Sequence, residues 1–309
     1  MAGRGSQLRV VDPVLTNLIR GYSNAEFVGI HIFPVVSVEK EAGKIPSFGK
    51  EAFRIYNTSR AMRASSNKLP VEARSSLDFA TTEHDASYPI DYREMQEDII
   101  NTEQNGAYIA QNAILIKHEK SCADLATTAA NFPVGNKVTL AGATQFTHPD
   151  SDPLAIVATA VEAVRAKIAK RPNVGIMGAS TFKALQTHPK ILDRIKYTQT
   201  GLVTVELLKS LFNLKELYVG DAVYVDDAGV SHDIWPDSFV IAYVPEAKTD
   251  VDRSIYEPSF GYTLRKKGMP EADKYEEDGG KVLNVRSTDN YIVKIVGSDA
   301  GYLIEDTNA

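Results

Sequence analysis

The sequence predicts an α+β protein, with strand-forming and helix-forming segments gathered into separate blocks rather than alternating. Three observations carry that prediction. Residues 35–82 are short alternating runs broken by Gly, Pro and Ser. Residues 91–214 are dominated by apolar side chains at three- and four-residue spacing, and the last third returns to short β-branched and aromatic runs. With 309 residues, 43% of them hydrophobic, the chain can bury a real core and divide into two lobes or more.

Residues 1–30 mix Gly, Arg and Asp-Pro with scattered apolar residues, which reads as an extended arm with at most one short helix. VVSV, GKIPSFG, FRIY, NKLPV and SLDFATT then read as strands and turns, with alternation clear at Leu77, Phe79 and Thr81. This hairpin region is too polar to make a core of its own, so it is expected to embrace a neighbour. Residues 91–130 read as a long helix, interrupted at Asn105-Gly106, with Tyr92, Met95, Ile99, Ile109, Ala113, Ile116 and Ala123 in helical register. SDPLAIVATAVEAVRAKIAKRP is the clearest helix, with Asp152 as N-cap, Pro153 in the first turn and a stripe of Leu154, Val157, Val161, Val164 and Ile168. After a helix at TVELLKSLFNL come the strands ELYVG, AVYVDD, SFVIAYV, PSFGYTL, KVLNVRS, YIVKIVG and GYLIED.

Within that order, NVGIMGASTFKALQTHPKILDRIKY imitates a nucleotide-binding turn. A P-loop needs two glycines four residues apart, followed at once by Lys and Ser/Thr. Here Gly175 and Gly178 are closer, Ala179 and Ser180 follow, and Lys183 falls inside the next helix. The residues therefore predict a buried strand and a short helix capped by Ser180 or Thr181. His118-Glu119-Lys120-Ser121-Cys122 approaches the zinc-protease spacing, yet Cys122 holds the second ligand place and no third ligand presents itself. It reads as part of a structural helix. The remaining histidines are isolated, Asp226-Asp227 sits in a turn, and no G-x-S-x-G elbow occurs. No catalytic, cofactor-binding or metal-binding residue is assigned, no cofactor is expected, and the chain is not read as an enzyme.

A net charge of −6 argues against a dedicated nucleic-acid binder. The N-terminus lacks the apolar core of a signal peptide, and the longest apolar run, 239–244, is too short to cross a bilayer, so no membrane partner is expected. Cys122, the single cysteine, excludes an intrachain disulfide. The distribution of charge is more informative than its sum. Residues 53–71 contain Arg54, Arg60, Arg63 and Lys68 and no acidic residue. Residues 76–103 set eight carboxylates, Asp91 and Glu94 among them, against Arg93 alone. A second acidic run, EADKYEED at 271–278, holds Glu271, Glu276 and Glu277. Such runs are ordinarily solvated surface, but opposite blocks can also be two halves of a self-association contact.

Taken in order, the segments VDPVLTNLIRGYSNAEFVGIHIFPVV, GKIPSFGKEAFRIY, YPIDYREM, RPNVGIMGASTFKALQTHPKILDRIKY, EPSFGYTLRKKGMP and SDAGYLIED resemble the major capsid proteins of tailed bacteriophages, the Hong Kong 97 fold. The resemblance spans nearly the whole chain, and it lies in order and spacing rather than in one motif. It implies an N-terminal arm (1–34), an extended loop (35–82), a peripheral domain with a spine helix (83–149), an axial domain (150–256), a peripheral return (257–290) and a last axial strand with the C-terminus (291–309). It further implies a subunit that assembles with copies of itself, as hexamers and pentamers, into an icosahedral head around double-stranded DNA held without sequence specificity. Portal and scaffolding proteins, and a decoration protein, would be its partners. It would reside in the virion after assembly in the host bacterial cytoplasm. The alternatives are an encapsulin-type compartment, which shares the fold, and, more remotely, a soluble hydrolase or nucleotide-binding enzyme.

Two departures from the family pattern matter. The arm begins within ten residues, so a scaffolding domain would be a separate chain or already removed. Family members that crosslink join a loop lysine to a peripheral asparagine, but 266–280 has no asparagine and Asn284 lies just beyond. In the implied geometry the loop lies across the adjacent subunit. Arg54, Arg60, Arg63 and Lys68 are therefore expected to meet Asp91, Glu94, Glu271, Glu276 and Glu277 of that neighbour.

Overall fold

The computed structural model describes residues 11–21, 26–46, 55, 57–67, 76–97, 102–196, 203–246, 258–277 and 279–309. Helix α1 (Pro13–Arg20) begins where the Asp12 carboxylate accepts from the amides of Val14 and Leu15 at 2.9 and 3.1 Å, with Pro13 in the first turn. It buries Leu15 and Ile19, and the Thr16 hydroxyl accepts from the Ala272 amide at 2.9 Å. This part of the arm is thus fastened to its own subunit. A second helix, α2 (Gly29–Ile32), exceeds the single helix expected for the arm; it forms because Val28 and Ile32 are buried and a carboxylate from the long helix takes up its first amides.

Strand β1 (Val35–Val38) precedes the hairpin base, where β2 (Ala42–Pro46) pairs antiparallel with β3 (Ser76–Ala80). Ile45 and Phe79 are buried there beside Val36, Val38, Tyr262 and Leu264, so the base has an apolar seat in its own subunit. Residues 55 and 57–67 beyond it are exposed throughout. The expected strands FRIY and NKLPV lie mostly outside the described residues.

Strand β4 (Thr82–Asp91) leads into α3 (Tyr92–Glu97) and α4 (Thr102–Thr127). The interruption expected at Asn105-Gly106 is absent, since both residues lie inside α4. Gly106 is there for packing: a Cβ would come 3.0 Å from the Tyr88 ring. After β5 (Lys137–Thr139), helix α5 (Pro153–Ile168) starts at Asp152, whose carboxylate accepts from the Ala155 amide at 3.0 Å, and buries Val157, Val161 and Val164.

Strand β6 (Val174–Gly178) runs into α6 (Ala179–Thr187), followed by α7 (Pro189–Ile195), α8 (Val205–Phe212) and β7 (Glu216–Gly220). Neither Ser180 nor Thr181 caps α6. Gly178 holds the N-cap position without a side-chain bond, and Thr181 is buried, its hydroxyl 2.7 Å from that of Thr307. A Cβ on Gly178 would sit 2.0 Å from the Pro236 carbonyl oxygen, so this glycine answers to close backbone packing.

A small hairpin, β8 (Val223–Val225) with β9 (Ser231–Asp233), precedes β10 (Phe239–Ala242), β11 (Gly261–Lys266), β12 (Glu271–Glu277), β13 (Val282–Ile295) and β14 (Gly301–Glu305). Two expected strands, KVLNVRS and YIVKIVG, are one: the polar residues Thr288, Asp289 and Asn290 between them are buried and stay in the ladder with β4. Residues 271–277 of the second acidic run form a strand, with Ala272 and Asp273 buried.

These strands make two five-stranded sheets. In the first, β13 pairs with β12 and β11 along one side and with β4 along the other, and β1 adds at the β11 edge. The second runs β5-β14-β10-β6-β7 and carries α5 to α8 over a core of Val157, Val161, Leu208, Phe212 and Phe239. Helix α4 packs on β4 and β13, and its Cys122 and Ala123 share a core with Trp235, Val240 and Phe260.

Candidate assembly interface

On the basic side, Arg54 and Lys68 lie outside the described residues. Arg60 and Arg63 are exposed. The loop around them is locally framed: Arg60 donates to the Ala64 carbonyl at 2.7 Å, and the Asn67 amide donates to the carbonyls of Asn57 and Ser59 at 3.0 and 2.8 Å. Two large apolar side chains accompany these arginines in water, Ile55 at 97% and Met62 at 91% exposure.

On the acidic side, sheet register joins what the sequence separates. Val282, the first residue of β13, is opposite Asp91 on one flank and Glu277 on the other. Residues in one row across adjacent strands share a face, so the two carboxylates stand about 10 Å apart on the same side of the sheet. Glu276 precedes Glu277 and is exposed. Glu94 sits in the first turn of α3, where Asp91 and Glu94 form a reciprocal cap: the Arg93 amide donates to Asp91 at 2.9 Å and the Asp91 amide donates to Glu94 at 3.3 Å. Asp91, Glu94, Glu276 and Glu277 therefore gather at one end of the first sheet, with exposed Glu97 beside them. Glu271 does not join them. It is opposite Thr288, six residues along β12 and about 20 Å away.

Part of each acidic run is spent inside the subunit. Asp273 is 2% exposed and accepts from the Arg286 guanidinium at 3.0 and 2.6 Å. Lys274 bridges Asp12 at 3.1 Å and Glu103 at 2.9 Å, which clamps α1 to β12 and α4. Tyr92 and Met95, counted from the sequence among the apolar stripe of the long helix, are instead 41% and 42% exposed on α3, beside the gathered carboxylates.

The residues that resembled a zinc helix face the core. Thr263 donates its hydroxyl proton to the Phe33 carbonyl at 2.9 Å, so it accepts from His118 Nε2, also at 2.9 Å. Burial lowers the His118 pKa to about 3, which keeps the ring neutral. Glu119 accepts from the amides of Val28 and Gly29 and from Trp235 Nε1, and burial raises its carboxyl pKa above the usual range. Among the described residues no cluster of three or more His, Cys, Asp or Glu is placed to hold a metal ion, and no helix is long and apolar enough to cross a membrane.

Residues 111–288 match the family described as Phage major capsid protein E. The chain is 50% identical over 306 residues to the major capsid protein of Burkholderia phage BcepMu, covering 99% of each. A phage-related protein of Bordetella bronchiseptica RB50, known from a crystal structure, superposes with a TM-score of 0.81 at 33% identity, over 97% of this chain and 99% of that one. The SrpI encapsulin of Synechococcus elongatus PCC 7942 superposes with a TM-score of 0.55 at 10% identity, over 97% of both chains. At that level of identity the likeness shows the fold alone, and phage capsid structures at 12–14% identity share it.

Proposed function

The chain belongs to the phage major capsid proteins, with their Hong Kong 97-like fold, and from that premise we propose how one subunit grips the next. It is a structural, non-enzymatic subunit of the phage head and a component of the virion. The encapsulin and enzyme alternatives give way to the named relative at 50% identity over the whole length. In our reading the exposed loop of one subunit lies across its neighbour, and Arg54, Arg60, Arg63 and Lys68 meet the acidic sheet end made by Asp91, Glu94, Glu276 and Glu277. Glu271 is left out of this contact by its position at the far end of β12. One observation supports the reading above others: Asp91 and Glu277 flank Val282, so two distant acidic runs become one patch, opposite in charge to residues 53–71, which hold no carboxylate.

Each exposed pair contributes only about 0.2–1 kcal/mol, but the contact recurs in every copy of a closed shell. Hexamers and pentamers so linked would close an icosahedral head in the host cytoplasm around double-stranded DNA, which an acidic lining holds without sequence readout. Portal, scaffolding and decoration proteins would complete the particle. We keep the division into arm, loop, peripheral and axial domains as part of this proposal; the separation into two sheets supports it, while β1 in the first sheet, β5 beside β14 in the second and β13 running unbroken through 290/291 each cross its bounds.

Replacing all four loop cations with Glu tests this. The variant should keep the circular dichroism of the folded subunit and fail to form shells in sedimentation. Wild-type assembly should also weaken as salt rises, because exposed charges are screened beyond about 10 Å at 0.1 M. Normal shells from the fourfold variant would overturn the reading.

A further inference from the structure

We infer that apolar side chains anchor this contact: Ile55 and Met62 of the loop seat on the Tyr92–Met95 face of α3 in a second copy, with the charges arranged around them. The inference rests on the loop-to-neighbour reading and names what carries its affinity. Ile55 and Met62 are 97% and 91% exposed, which leaves almost their whole side chains in water in the isolated subunit. Met62 lies between Arg60 and Arg63, and Ile55 precedes them, in a segment whose only charges are positive. Tyr92 and Met95 are three residues apart in α3, hence on one helix face. Asp91, Glu94 and Glu97 lie beside that face in the chain, and Asp91 shares its sheet row with Glu277. Arg93, Lys274 and Lys281 are the cations nearby in sequence; Lys274 already pairs with Asp12 and Glu103, and the Arg93 guanidinium stands 5.5 Å from the Tyr92 ring and donates to its hydroxyl at 3.2 Å. The two surfaces match in both respects: apolar at the centre, opposite in charge at the rim. Aromatic residues and Met are the types enriched in the dry centres of protein contacts, with charges kept to the rim.

A rival seat exists on the β8–β9 hairpin, whose outer face exposes Val223 at 52% and Val225 at 61%. Its other face is covered, since Tyr224 packs on the core around Trp235 and lies under Lys120. Its acidic rim is smaller, however: Asp226 accepts from the amides of Ala228 and Val230 at 2.9 Å and from His232, which leaves exposed Asp227 and Asp233. Two merged acidic runs and an aromatic-plus-Met face favour α3.

Cysteine pairs can decide between the two seats because the native Cys122 is buried. Full-length Met62→Cys/Met95→Cys should assemble under reductant and, once oxidised, run as covalent multimers on a non-reducing denaturing gel. Met62→Cys alone and Met62→Cys/Val225→Cys should run as monomers. In parallel, Ile55→Ser/Met62→Ser should stay folded by circular dichroism and need at least tenfold more protein to form shells, at low and high salt alike. Multimers from the Val225 pair but not the Met95 pair would overturn the α3 seat and leave the loop on a neighbour. Shells that crosslink from neither pair and form normally with both serines in place would overturn the inference together with the reading beneath it.

Discussion

Trp235 Nε1 donates to Glu119 Oε1 at 2.7 Å, from the chain entering β10 to the middle of α4. The same oxygen accepts from the amides of Val28 and Gly29, each at 2.9 Å, so one buried carboxylate holds α2, α4 and the approach to the second sheet. Glu119→Ala would leave three buried donors without an acceptor, and the unfolding free energy should fall by at least about 3 kcal/mol. Chemical denaturation of the unassembled subunit measures it; a loss under about 1 kcal/mol would show that water or a shifted side chain replaces the carboxylate.

The same group gives a pH dependence of known sign. Burial raises the folded carboxyl above its ordinary 4.5, so in that window the folded state binds the proton better than the unfolded state. Its contribution to stability is present below the unfolded pKa and is lost as pH rises through the folded one. Glu119→Gln should flatten the stability profile there.

His118 acts in the opposite direction. Its folded pKa of about 3 lies below the ordinary 6.5, so its contribution is intact above pH 6.5 and falls by roughly 1.4 kcal/mol per unit as the medium acidifies toward pH 3. Unfolding curves for wild type and His118→Gln between pH 4 and 7 should converge toward the acid end. Parallel curves would mean that His118 does not titrate on unfolding as its burial requires.

Gly178→Ala should cost about 3 kcal/mol or more, because the new methyl meets a backbone carbonyl at 2.0 Å and not a side chain that can swing away. Ser180→Ala and Lys183→Ala should leave nucleotide titrations as flat as wild type. Stoichiometric ATP binding lost in Lys183→Ala would restore the phosphate-loop alternative.

What the sequence disclosed and what it hid divide on physical lines. Helix α5 was legible because Asp152, Pro153 and a 3.6-period stripe all act within one segment, and β6 because an apolar run between turn residues has few other uses. Strand β4 was hidden although His84, Ala86, Tyr88 and Ile90 do alternate inward, because Glu83, Asp85 and Asp91 on the alternate positions dominated its appearance. Strand β12 reads as solvated charge until Arg286 is placed beside Asp273. The acidic patch itself depends on the register of β4 against the β12–β13 hairpin, about 190 residues further along the chain, and no local pattern encodes that pairing. The exposure of Tyr92 and Met95 was missed for a related reason: apolar spacing reveals a helix face but not whether the same chain covers it.

Asn284 bears on covalent crosslinking. It is 4% exposed and lies in the middle strand of three, opposite Pro89 and Tyr275. A side chain so enclosed is out of reach of a lysine from another subunit. Mature particles boiled in denaturant should therefore run as a single band at 33.8 kDa, and a ladder of multimers would show that another residue supplies the bond.

The most direct measurement is an electron cryomicroscopy reconstruction of shells formed by the wild-type chain, at a resolution that traces side chains. The expected map shows closed particles in which residues 55–67 of each subunit cross the next, with Met62 over Tyr92 and Met95 and the loop arginines facing Asp91, Glu94 and Glu277. A loop folded onto its own subunit, or one crossing the neighbour at a different face, would contradict the account.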